Sequence, residues 1–341
     1  MSSSFLDGIV LGKDIFMSKL QYRSAESVSP KHPDKLCDQI SDAILDAYLA
    51  QDPVSRVAVE TVGGHGKVFI TGEVTSHATV DVPAIVKRLT GDVEIEVRLV
   101  EQSPEIANGV DTGGAGDQGI MVGYACNQTP ELLPLETVLS RKLNQYLFEI
   151  WPFDGKTQVT IRNGMLESVV ASFQNAPTAK LEAAVKEWVV SQPLVKADID
   201  MKYHINPAGD WHQGGFDADT GLTGRKLVVD NYGPHIPIGG GCFSGKDPSK
   251  VDRSAAYMAR KIAVDYLKKH NATEVYCYLA YAIGYAEPLE ATVIVDGVSQ
   301  VVTGYDLTPQ GIIDFLDLRR PIYEATSRWG HFGHSEFIWE Q

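Results

Sequence analysis

Two short stretches concentrate side chains suited to a polyphosphate and a divalent metal. One is His32-Pro33-Asp34-Lys35. The other runs Gly239-Gly-Gly-Cys-Phe-Ser-Gly-Lys246-Asp-Pro-Ser-Lys250-Val-Asp252-Arg253. Glycines let backbone N–H groups come close to an anion, cations answer phosphate oxygens, and carboxylates hold the metal that phosphates carry. Pro33 suits the first position of a helix, so His32 and Asp34 fall at a helix N-terminus, where anions are favoured. Ser249 can cap a second helix over Lys250–His270, which makes Lys250 and Arg253 first-turn cations. Cations there run against the helix dipole and point to an anionic ligand.

Each motif has a plainer reading. Gly240 through Lys246-Asp247 nearly matches a P-loop, but Asp247 stands where that loop needs Ser or Thr for magnesium, and no clean strand precedes it. A glycine-rich turn before a capped helix explains the glycines, though not Lys246, Lys250 and Arg253 beside Asp252. Asp34, Asp38, Asp42 and Asp46 are four apart. The last three read as the solvated face of a helix, whereas Asp34 is set apart by His32 and Lys35. Gly221–Lys226 is a turn followed by adjacent cations, and Gly113–Gly119 is a flexible glycine loop that could serve as a lid.

Three segments are predicted to position these groups. Strands Arg56–Val62 and Lys67–Thr75 flank Gly63–Gly66, with a helix near Pro83–Leu89. Strands Thr157–Arg162 and Met165–Phe173 flank Asn163-Gly164, a strong hairpin signal, and lead to helix Ala179–Val190. Strands Ala291–Val295 and Val298–Val302 flank Asp296-Gly297 and precede helix Pro309–Leu318. Three hairpin-then-helix units predict an α+β protein with pseudo-threefold organisation. Helix Asp34–Ala50 carries Leu36, Ile40, Ile44, Ala47 and Tyr48 on one face. Helix Lys250–His270 carries Ala255, Met258, Ala259, Ile262, Tyr266 and Leu267.

The 341 residues suggest two or three domains, and 44% hydrophobic with 22% charged residues is ordinary for a globular protein. A net charge of -14 argues against a nucleic-acid surface, so a polyanion must meet a local basic patch. No apolar run is long enough to span a bilayer. Cys37, Cys126, Cys242 and Cys277 form no metal or disulfide pattern, which fits reduced thiols and a cytoplasmic setting. Residues 1–19 lack a signal-peptide pattern. They read as an extension without fixed structure, or as a misassigned start with Met17 the alternative.

In order along the chain, these motifs resemble methionine adenosyltransferase, also called S-adenosylmethionine synthetase. The resemblance runs from about residue 22 to the C-terminus through Glu26-Ser-Val-Ser, His32-Pro-Asp-Lys35, Val59-Glu60-Thr61, Gly72-Glu73, Gln102-Ser-Pro-Glu, Gly114-Ala-Gly-Asp117-Gln118-Gly and Asp154-Gly-Lys156. It continues through Asp219-Thr-Gly-Leu-Thr-Gly-Arg225-Lys226, the Gly239–Tyr257 block, Tyr281-Ala-Ile283-Gly and Gly330-His-Phe-Gly. It implies three similar α+β domains about a pseudo-threefold axis, here near residues 20–110, 114–222 and 223–341, with exchange of segments allowed. It implies a homodimer with shared active sites, or a tetramer, and synthesis of S-adenosylmethionine from ATP and L-methionine with cleavage of the tripolyphosphate. It also implies Mg²⁺ and K⁺.

By the same resemblance, His32 hydrogen-bonds the leaving oxygen, and Lys156, Arg225, Lys246 and Lys250 hold the phosphates. Asp154 and Lys226 join the ATP site, and Trp211 takes the place of an aromatic, typically Phe, that stacks on adenine. Asp34 and Asp252 ligate Mg²⁺, and Glu60 lies at the K⁺ site. Glu73, Gln102, Asp117, Asp219 and Ile283 surround methionine and the nucleoside. The chain departs from the family at Lys31 (usually Gly), Asp210 (usually basic) and Ile238 (commonly His), and it shortens the segment between Val110-Asp111 and Gly114. Two other classes compete: a non-catalytic nucleotide-binding paralogue acting as a regulatory subunit, and a P-loop kinase or NTPase.

Overall fold

The computed structural model describes residues 22–102 and 113–341. The 1–19 extension and most of the shortened segment before Gly114 lie outside them. Twelve strands among the described residues form three four-stranded sheets.

The first sheet is built on β2 (Arg56–Gly64) and β3 (Lys67–Thr75), followed by α2 (Val82–Thr90) and β4 (Glu94–Val100), which runs parallel to β3. The second repeats this plan with β6 (Gly155–Arg162), β7 (Met165–Phe173), α4 (Thr178–Ser191) and parallel β8 (Ala197–Ile205). The third is antiparallel throughout: β10 (Glu274–Tyr281), β11 (Glu290–Val295) and β12 (Val298–Val301), with α7 (Pro309–Phe315) after it. All three hairpin turns put two successive residues at positive φ: His65-Gly66, Asn163-Gly164 and Asp296-Gly297. That geometry matches the twist of the flanking strands.

Each sheet also takes one strand from elsewhere in the chain. β1 (Tyr22–Val28) pairs with β6, β5 (Gly119–Cys126) pairs with β10, and β9 (Gly221–Leu222), which leads to the short helix α5 (Leu227–Asp230), pairs with β2. A helix packs on each sheet: α1 (Pro33–Leu49) on the first, α3 (Leu135–Ile150) on the second and α6 (Val251–His270) on the third. α6 approaches β5 so closely that a Cβ on Gly123 would lie 2.0 Å from the Ala259 carbonyl oxygen, so only glycine fits there. One hydrophobic core joins the first and third sheets with α1 and α6, while the second sheet, α3 and α4 enclose their own.

The apolar stripes expected on α1, α4 and α6 are buried, Ala47 being half-buried. The solvated acidic face expected on α1 is overturned. Asp38 and Asp42 are buried and Asp46 is half-buried, because α1 is covered on its acidic side too. The four aspartates instead receive backbone N–H groups from later parts of the chain. Asp34 takes Leu222, Asp38 takes Gly224, Asp42 takes Gly245, and Asp46 takes Tyr323 and Glu324 at the start of α8 (Tyr323–Trp329). Spacing of four on a helix lines them up on one side, so α1 holds the loops that carry the candidate site.

Candidate active site

His32 is the N-cap of α1. Its Nδ1 accepts from the Asp34 N–H at 3.1 Å, which fixes the proton of the neutral ring on Nε2. Burial lowers the imidazole pKa to about 3, and the Lys226 ammonium adds to that. The ring is therefore a neutral donor at physiological pH. Asp34 follows in the first turn. Its Oδ1 accepts from Leu222 N at 3.0 Å and its Oδ2 from Lys226 Nζ at 2.5 Å, with Arg225 Nε 3.6 Å from Oδ1. Burial opposes ionisation of this carboxyl, but the Lys226 hydrogen bond and the Leu222 N–H hold its pKa below the ordinary value.

Lys156 projects from β6 opposite Val28 and is exposed. Both Lys156 and Asp219 lie close enough to act electrostatically on His32. Asp154 accepts from Gly215 N at 3.0 Å. Trp211 abuts the same turn: a Cβ on Gly214 would lie 2.9 Å from its ring, and its Nε1 is buried without a partner. His32, Asp34, Asp154, Lys156, Trp211, Asp219, Arg225 and Lys226 thus form a first group.

The second group is built on the glycine loop. Gly245, at φ +81, packs so tightly that a Cβ would lie 1.9 Å from Val59 O. This lays the loop along β2, where Lys246 bridges Ala58 and Ala58 in turn faces Glu73. Lys246 Nζ meets Asp252 Oδ2 at 2.8 Å, and Asp252 Oδ1 accepts from Gly241 N at 3.2 Å. The loop that carries Asp117 runs on to Gly119, where a Cβ would lie 3.7 Å from Asp252 Oδ1. Ile283 pairs with Ala115 in the same loop and is 54% exposed. Glu60 is exposed on β2, and Gln102 follows β4 with its Oε1 buried and without a partner among the described residues.

Three expectations for this segment change. Lys250 is itself the N-cap of α6, and Ser249 makes no capping bond, since its buried Oγ has no partner. Lys250 pairs with Asp247, which is buried and also accepts from Val57 N at 2.6 Å. Arg253 is fully buried against Asp42 and faces no ligand. The P-loop reading also fails, because no strand leads into Gly240 and α6 starts only at Val251. Sequence reasoning missed Asp247 as the partner of Lys250, although their i, i+3 spacing permitted it.

Among the described residues, no hydrogen bond or ion pair joins side chains of the first group to those of the second. No cluster of three or more His, Cys, Asp or Glu able to hold a metal occurs among them either. One carboxylate in each group, Asp34 and Asp252, instead sits beside an ammonium and a backbone N–H. Such a site can bind a divalent cation only together with phosphate oxygens, which is how Mg²⁺ is usually held. Asp210, where a basic residue is usual, accepts from Thr178 N at 2.9 Å at the start of α4, a structural use.

The chain matches the sequence families described as S-adenosylmethionine synthetase, N-terminal domain over residues 21–108, central domain over 112–211 and C-terminal domain over 213–341. It is 42% identical to a protein of Brachyspira hyodysenteriae named S-adenosylmethionine synthase, across 95% of this chain and 96% of that one. A Bifidobacterium adolescentis protein of the same name is 42% identical with the same coverage.

Proposed function

This chain belongs to the S-adenosylmethionine synthetase family and its activity is synthesis of S-adenosylmethionine; we propose that it displaces the triphosphate of ATP with the sulfur of L-methionine and then cleaves the tripolyphosphate to pyrophosphate and phosphate. The observation that carries this reading is His32, held neutral with Nε2–H available, among Lys156, Arg225, Lys226 and Asp34. Methionine sulfur has its own lone pair, so attack on the ribose C5′ needs alignment rather than a strong base. What the reaction demands is stabilisation of the negative charge that grows on the leaving oxygen. Nε2–H of His32 donates to that oxygen, while Lys156, Arg225, Lys226, Lys246 and Lys250 hold the phosphates. Trp211 stacks on the adenine. Glu73, Gln102, Asp117, Asp219 and Ile283 surround methionine and the nucleoside, where the unpartnered Gln102 Oε1 is free to accept from substrate.

Asp34 and Asp252 would each hold Mg²⁺, which neutralises phosphate charge when bound, and Glu60 would lie by K⁺. Lys226 and Lys246 donate to those carboxylates, and each would be released to hold phosphate oxygens if Mg²⁺ took its place there. The two groups make one centre if two copies of the chain meet, the first group of one against the second group of the other. The exposed apolar residues Ile120, Ile283, Tyr285 and Leu289 beside the second group suit such an interface. We place the enzyme in the cytoplasm as a homodimer. The test is incubation with ATP, methionine and Mg²⁺, with mass detection of the sulfonium product and assay of pyrophosphate and phosphate. Product is expected. ATP binding without product would sink the reading in favour of a regulatory paralogue.

A further inference from the structure

We infer that Asp38 is a positioning residue: its carboxylate holds the Gly224 N–H and thereby sets where Arg225 and Lys226 stand against Asp34 and the phosphate chain. The inference rests on the reading of Arg225 and Lys226 as phosphate-binding groups. Asp38 lies one turn behind Asp34 on α1. Its Oδ1 accepts from Gly224 N at 2.8 Å and its Oδ2 from Lys35 Nζ at 3.2 Å. Lys35 also donates to Asp230 Oδ2 at 2.7 Å, and all three side chains are at most 5% exposed.

The segment that ends at Lys226 is suspended at successive amides. Leu222 N goes to Asp34 at 3.0 Å, Thr223 N to Thr61 O at 3.0 Å and Gly224 N to Asp38 at 2.8 Å. Thr223 Oγ1 is tied as well, to Ser41 Oγ at 2.9 Å and Thr61 N at 2.9 Å. Beyond Gly224 the two cations follow at once. The Gly224 backbone has φ +83, and a Cβ there would lie 2.7 Å from Cys242 Cβ, so the glycine loop closes the space behind it. The bond to Asp38 is therefore the last fixed point before the cations. A buried amide that loses its acceptor moves to find another or stays unsatisfied at a cost. A shift of about 1 Å in groups that orient a substrate can cost roughly 10² in rate.

Asp38 has two roles that mutation separates, because Lys35 keeps Asp230 as a second partner. Asp38→Ala removes the acceptor and the charge. Asp38→Asn removes the charge but leaves an amide oxygen for Gly224. Both weaken the pairing with Lys35, so both are expected to lower the thermal midpoint. If Asp38 positions the cations, Asp38→Ala lowers kcat/KM for ATP roughly 10-fold or more, the scale of one hydrogen bond to a charged group. Asp38→Asn recovers most of that loss despite a similar thermal midpoint. A merely structural role makes activity follow stability, so equal losses of activity in the two variants would overturn the inference. If Asp38→Ala does not fold, Asp38→Asn decides alone: activity within a few-fold of wild type supports positioning, and a loss of about tenfold, the value of one such bond, refutes it. Wild-type protein is run alongside with mass detection of the sulfonium. Absence of product from it would refute the functional reading instead, and calorimetric binding of tripolyphosphate would then carry the same comparison of the three proteins.

Discussion

Replacing Arg253 with methionine tests whether the fully buried ion pair with Asp42 organises this protein. Arg253 Nη1 and Nη2 meet the two Asp42 oxygens at 2.6 and 2.9 Å. The guanidinium also donates to Phe243 O, Lys246 O, Thr326 Oγ1 and the Tyr257 hydroxyl, and lies 4.2 Å from the Tyr323 ring centre. Methionine fills much of the same volume but leaves the Asp42 carboxylate without its cation at zero exposure. Breaking a buried pair by removing one partner costs about 3–5 kcal/mol. That is a large share of a total stability of about 5–15 kcal/mol. With an m value of about 3 kcal/mol/M in urea, the unfolding midpoint falls by about 1–1.7 M. The assay is urea unfolding followed by circular dichroism at fixed protein concentration.

Removing both charges in Asp42→Leu/Arg253→Met should cost less than the sum of the single changes, because neither ion is then stranded. Activity should fall in Arg253→Met even where the protein is folded, since Arg253 also binds the Lys246 carbonyl. An Arg253→Met midpoint within error of wild type would refute the reasoning. So would a double variant whose loss equals the sum of the two singles.

Lys246→Met should reduce kcat by about 10² or more with little change in the unfolding midpoint, because a transition-state phosphate contact is lost; an unchanged kcat refutes that role. Burial raises the Asp46 pKa to about 7, against the opposing backbone N–H bonds from Glu324 and Tyr323. The folded chain then holds a proton that the unfolded chain has released between about pH 4 and pH 7, so this residue's contribution to stability declines as pH rises through that window, by about 1.4 kcal/mol per pH unit at most. Asp46→Asn should lessen the fall in thermal midpoint from pH 5 to pH 7.5, and parallel curves for the two proteins would count against this account.

The fold was legible where local chemistry determines it. Asn163-Gly164 and Asp296-Gly297 sit at the positive φ angles their sequences favour, and the apolar stripe of α4 is its buried face. The borrowed strands were not legible, because β1, β5 and β9 complete sheets through partners more than 100 residues away. Nothing in the alternation along one strand records which distant edge it will meet.

The acidic stripe of α1 shows a different limit. A polar residue every fourth position carries the same pattern whether it faces water or a set of loops. One signal was present: Arg253 is a cation placed against its own helix dipole, an anomaly that its pairing with Asp42 resolves. The pattern around Gly245 suggests backbone N–H groups that approach an anion, and Gly224 suggests a turn. In the structure their N–H groups point the other way, into Asp38 and Asp42. The cations that follow, Arg225, Lys226 and Lys246, are thus presented by a loop whose amides are already occupied. Any phosphate grip in these two loops therefore comes from the side chains there more than from those two amides, and that is why the acceptors on α1 matter to the chemistry.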